Sequence, residues 1–199
     1  MITPARGPAL ESLTFVIPGG WFPLRLPEDQ SAIDRLLEDQ VARFPQLVGD
    51  QQAVRTMLGG LLEASRLCVL RAYATAVPAP AGLLPAGLAV SVVPMPGRSF
   101  GDLAANLPET GTAGWSSVQV LDLPAGPVLR AERLAALDGV DPPLTSLVVQ
   151  YTAVAPGGSQ AVMMTFSSPA LTLASTLRLL FHQIACTLAF KARQPEPAG

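Results

Sequence analysis

Two β-rich runs, Leu147 to Val154 and Gln160 to Phe166, flank Ala155-Pro156-Gly157-Gly158-Ser159 and constrain the fold more than any other stretch of the chain. Glycine supplies the positive φ that a tight reversal needs, so the runs read as a hairpin and set an antiparallel theme. Ser116 to Leu123 and Pro127 to Arg133 repeat it through Pro124-Ala125-Gly126. Ser12 to Ile17 and Trp21 to Leu26 meet at Pro18-Gly19-Gly20 and read as an opening hairpin. Pro23 has no N–H for a neighbour, which places its strand at a sheet edge or a bulge. Strand character also marks Cys68 to Tyr73 and Gly87 to Val93, while the Pro-rich stretch from Val77 to Pro85 reads as a loop.

Helical spacing appears in two places before the sheet pattern begins. Ile33, Leu36, Leu37, Val41 and Phe44 follow Pro27-Glu28-Asp29, and Val54, Met57, Leu58, Leu61 and Leu62 form a second stripe from about Asp50. Ser99 to Leu107 predicts a short helix, with Ser99 as N-cap and Asp102 completing a capping box. Ser168-Pro169 opens a last helix that the pattern carries to about Phe190. On it Leu173, Leu177, Leu180, Phe181, Ile184 and Leu188 make a stripe that can cover a sheet. Leu179, Cys186 and Phe190 gather on nearly the opposite side.

These signals predict one α+β domain over residues 1–190, with a disordered tail at 191–199. Its expected core is a mainly antiparallel sheet of about six to eight strands flanked by helices on both faces, the C-terminal helix packed on the sheet. A doubly wound α/β fold is the competing architecture. At 199 residues the chain can bury about 70% of its unfolded surface, so it needs no disulfide or metal staple. Hydrophobic residues make up 49%, which excludes a disordered chain.

Charge and reactive groups are scarce. Charged residues make up 14% of the chain, against roughly a quarter in an average soluble protein. Basic residues number 13 and acidic ones 15, so there is neither the footprint of a nucleic-acid binder nor a polybasic membrane patch. Cys68 and Cys186 have no C-x-x-C spacing and read as reduced thiols. The N-terminal residues carry neither an apolar signal region nor a lipid-accepting cysteine, and a cytoplasmic protein is expected. Leu171 to Phe190 has the length of a membrane span, but Arg178, His182 and Gln183 sit near its middle. An arginine there costs about 2.5–3.5 kcal/mol, so the segment reads as a buried helix and no membrane partner is expected.

His182 is the only histidine, and it stands four residues from Cys186, as a thiol nucleophile and its base must on a helix. One helix supplies neither an orienting carboxylate nor oxyanion donors, so no catalytic residue is assigned and the chain reads as not an enzyme. Gly19-Gly20 and Gly157-Gly158 match no phosphate-binding motif, and no G-x-S-x-G occurs. Asp138 and Asp141 fall short of the roughly six to eight oxygen ligands of a calcium ion. No cofactor and no metal is expected.

From Ser146 to Phe190 the chain resembles a group of actinobacterial proteins of largely unassigned function. The residues that carry the resemblance are Gln150-Tyr151, Pro156-Gly157-Gly158, Met164-Thr165-Phe166-Ser167-Ser168-Pro169 and Phe181-His182-Gln183-Ile184-Ala185. The resemblance implies a PsbP-like α/β/α sandwich, seen also in mycobacterial lipoproteins of the LpqN type, and a binding or assembly role. With the charge-poor surface, it points to a non-catalytic interaction or assembly protein whose partner is another protein or a second copy of itself. A homodimer is the simplest closure, with Leu179, Cys186 and Phe190 as the contact. A binder of a small apolar ligand and an enzyme of unassigned reaction are the alternatives.

Overall fold

The computed structural model describes residues 10–24, 38, 69–79, 82–95, 99–105, 114–137 and 144–192. In chain order these form β1 (Leu10–Thr14), β2 (Trp21–Leu24), β3 (Val69–Ala79), β4 (Gly82–Pro94), α1 (Phe100–Ala105), β5 (Ser117–Leu123), β6 (Gly126–Leu137), β7 (Leu144–Val154), β8 (Gln160–Ser168), α2 (Ala174–Cys186) and β9 (Ala189–Ala192). Seven strands make one sheet in the order β2-β3-β4-β8-β7-β6-β5, and each neighbouring pair is antiparallel. The doubly wound alternative falls with that topology. The helices expected between Pro27 and Leu62 lie outside the described residues.

The hairpin turns sit where glycine permits them. Gly157 and Gly158 take φ of 92° and 68° between β7 and β8, and Gly126 takes 105° at the start of β6. The capping box also forms: Asp102 N–H donates to Ser99 Oγ at 3.2 Å, and Ser99 N–H donates to Asp102 Oδ2 at 2.6 Å.

Three expectations give way. The Pro-rich stretch from Val77 to Pro85 is not a loop: residues 77–79 and 82–85 extend β3 and β4 as a pair. Proline is tolerated there because β2 pairs with β3 only from Ala72 to Thr75, and β8 with β4 only from Gly87 onward. Neither Pro78 nor Pro85 therefore owes a ladder bond to a second neighbour. The opening hairpin divides as well. Its turn forms, but β1 pairs with β9 in a separate two-stranded sheet while β2 joins β3, where Pro23 sits at the sheet edge as its chemistry requires.

The last helix, third, is shorter than expected at both ends: Ser168 closes β8 instead of capping the helix, α2 begins only at Ala174, and it stops at Cys186. Thr187 Oγ1 donates to the Ile184 carbonyl at 2.7 Å and accepts from Val16 N–H at 2.8 Å, so this hydroxyl competes with the helix and ties its end to the strand-1 connection. The chain then turns, and Phe190 pairs with Leu13 in β9. Lys191 and Ala192, which the sequence assigns to the tail, belong to that strand. No described helix is long and apolar enough to cross a membrane.

The core follows from the two-residue period of the strands and the helical stripe. Register aligns Arg130, Tyr151, Met164 and Val90 across four strands on one face. Along that face Leu88, Leu147, Val149, Val162 and Phe166 are fully buried. α2 lays Leu177, Phe181 and Ile184 over them, also buried. Phe181 stacks on Phe166 with centroids 4.7 Å apart, and Phe166 meets Tyr151 edge to face at 5.9 Å. Cutting the chain after Leu188 removes β9, the partner of β1 among the described strands. The melting temperature is expected to fall by roughly 5 °C, as scanning calorimetry would show.

Candidate functional site

Strand periodicity puts Arg130 and Glu132, two residues apart on β6, on the face that α2 covers. Helical periodicity brings Ser175, Arg178, Leu179 and His182 to the side of α2 that overhangs β5 and β6. Glu132 is 9% exposed and joins the two elements. Arg178 Nε donates to Glu132 Oε1 at 2.9 Å and its Nη2 donates to the same oxygen, while Arg130 Nη2 donates to Oε2 at 2.7 Å. Burial on its own pushes the Glu132 carboxyl up, but the hydrogen bond and charge of Arg178, with those of Arg130, outweigh it and hold the group below its ordinary value of 4.5. Both carboxylate oxygens are thus occupied. Two guanidinium groups face one carboxylate, which leaves the cluster with an excess positive charge on a chain whose net charge is −2.

Between the overhanging side of α2 and the β5–β6 end of the sheet lies an open groove of about 470 Å³. Leu121 and Leu179 give it apolar walls, and Gln119, Arg130, Arg178 and His182 give it polar ones. Beneath it Tyr151 is 1% exposed, and its hydroxyl has no hydrogen-bond partner among the described residues. Burial pushes that phenol up, against the pull of nearby Arg130. The Tyr151 and His182 rings lie 6.2 Å apart.

Cys186 Sγ approaches His182 Nε2 at 3.6 Å, so the thiol and imidazole meet as their spacing implies. Among the described residues no carboxylate orients His182, because the acid of this cluster, Glu132, is held by Arg178 and Arg130. No cluster of three or more metal-ligating groups occurs among the described residues. Asp138, Asp141 and Cys68 lie outside them.

The three residues expected to share an outward helical face do not do so. Leu179 is 67% exposed and forms the rim of the groove. Cys186 is half-buried at the helix end against His182. Phe190 is off the helix altogether, packed on the core from β9, because the chain reverses at Thr187 to pair with β1. Leu179→Glu is therefore expected to change stability by less than about 0.5 kcal/mol in urea denaturation, whereas Phe190→Glu should cost roughly 2 kcal/mol. Arg130, Glu132 and Arg178 are the functional candidates that sequence patterning misses. Their one local signal is the charged run Arg130, Glu132 and Arg133 within an otherwise apolar strand.

No family profile matches the chain, and no curated protein matches it. The structure is similar to a solved structure of LpqN, which is involved in cell envelope biogenesis of Mycobacterium tuberculosis, with a TM-score of 0.47 and 14% sequence identity over 90% of this chain and 83% of that one.

Proposed function

We propose that this chain is a non-catalytic interaction protein that holds a partner in the groove between α2 and the β5–β6 end of the sheet. The observation that carries the reading is an exposed apolar rim, Leu179, set directly beside a guanidinium excess at Arg130 and Arg178. Arginine flanked by apolar anchors is the composition that protein contacts favour. A well-bound small molecule has most of its surface enclosed, whereas this groove is open and its rim residue stays wet until something larger covers it. A two-fold contact centred here would set Arg178 against its own copy, so a different chain is the better partner. The antiparallel sheet with a C-terminal helix packed on it also supports a PsbP-like reading of the fold.

A small ligand is the second reading, favoured by a volume within the roughly 300–1,000 Å³ of ligand pockets. A photo-crosslinking residue placed at position 179, with Val16 as an exposed control, separates the two in the native cell. Position 179 should capture one protein species that position 16 does not. Recovery of no protein at 179, together with a small molecule retained in native mass spectra, would establish the ligand reading instead.

A further inference from the structure

We propose that the partner enters as an extended acidic segment, added as an eighth strand alongside β5 with a carboxylate on Arg178. This rests on the interaction reading above and adds the shape and charge of the partner.

The two ends of the seven-stranded sheet differ in how they are guarded. Edge strands invite pairing with other chains, and proteins usually blunt them with proline, lysine or a bulge. At one end β2 carries Pro23. At the other, β5 reads Ser-Val-Gln-Val-Leu-Asp-Leu, with no proline and no lysine. Its register with β6 runs from Ser117 opposite Glu132 to Leu123 opposite Gly126 without a shift, so no bulge bends it away. Among the described strands nothing pairs with its outer side. Val120, 51% exposed on the far face, adds an apolar contact of the kind an edge left for solvent would avoid.

The groove tells what such a strand would carry. Gln119 and Leu121 are the β5 residues that line it, so a strand seated about 4.8 Å beyond β5 would set its own alternate side chains at the groove mouth. Arg178 binds Glu132 through Nε and Nη2, which leaves Nη1 of a side chain that is 38% exposed to meet a second carboxylate. The only acid on β5, Asp122, is exposed near the opposite end of the strand and repels a like charge there. The favoured arrangement therefore sets an acidic side chain toward Gln119 and Arg178, and an apolar one toward Leu121 and Leu179. Backbone pairing gives affinity in this mode, and alternate side chains give selectivity.

The test titrates the full chain, by fluorescence anisotropy, with labelled seven-residue peptides that alternate valine with glutamate, glutamine or lysine. The glutamate peptide should bind at least tenfold more tightly than the glutamine one, and the lysine peptide more weakly than either. Arg178→Gln should reduce the glutamate peptide to the glutamine level. N-methylation of alternate peptide amides, which blocks one edge of the added strand without altering the protein, should abolish binding. Equal affinity for glutamate and glutamine peptides overturns the charge assignment, and insensitivity to N-methylation overturns strand addition. A dimer in sedimentation that excludes the peptide would show that β5 is covered by a second copy, which also overturns the proposal. Should the peptides fail while position 179 still crosslinks a partner, this inference falls and the interaction reading stands. A silent position 179 removes the reading itself.

Discussion

Phe181→Ala is expected to lower stability by about 4 kcal/mol, the largest loss available from one side chain of α2. Phe181 is fully buried, stacks on Phe166, and through it reaches Tyr151, so truncation opens a cavity where the helix meets β7 and β8. A domain of this size holds roughly 5–15 kcal/mol in total, and the urea midpoint should fall accordingly. The neighbouring Leu179, two residues away but exposed, is the internal control: its truncation should leave the midpoint in place. A loss below about 1 kcal/mol for Phe181→Ala would mean that α2 does not seal the sheet.

Glu132→Gln should cost roughly 2–3 kcal/mol at neutral pH, and that cost should depend on pH. The variant leaves the Arg130 guanidinium, whose side chain is 15% exposed, without its counter-charge, while the more exposed Arg178 turns outward at smaller expense. The sign follows from the direction of the shift. Glu132 titrates below 4.5 in the folded protein, so its ion pairs contribute fully above the unfolded value and are lost as pH falls through the lower folded one. The stability gap between wild type and variant should be widest near pH 7 and close progressively below about pH 4.5. Urea titrations at several pH values measure it. A gap that stays constant down to pH 3 would assign the loss to packing rather than to charge.

What could be read in the sequence was what neighbours along the chain decide. The β7–β8 hairpin was legible because Pro156-Gly157-Gly158 lies between two alternating runs, and the cap of α1 because Ser99 and Asp102 stand three residues apart. The inward stripe of α2 was legible because Leu177, Phe181 and Ile184 repeat at the helical period. The partner of β1 was not. Pro18-Gly19-Gly20 makes the same local turn whether the flanking strands pair with each other or part, and the choice is made by β9, some 170 residues downstream: the Val16–Thr187 bond spans 171 positions. Phe190 was misplaced for the same reason. The helical period continues on paper past Cys186, while the hydroxyl of Thr187 answers to Val16, in the connection that follows β1 at the other end of the sequence. The ion cluster was hidden because Arg178 lies 46 positions from Glu132, and an acid within a strand ordinarily belongs to a solvated face.

The β1–β9 pair also fixes how the domain answers a pulling force. Leu10 stands opposite Ala192, so the two strands leave their small sheet at the same end and in the same direction. Tension applied through both flanking segments would load the ladder one rung at a time, peeling it as a zipper opens, rather than shearing its hydrogen bonds together. Because α2 ends only a few residues before β9, the opened zipper would pass the load to Thr187 and then to the helix seated over the core. In mechanical terms the small sheet is a fuse: it yields first, and the seven-stranded sheet behind it feels the load only after the zipper has run out.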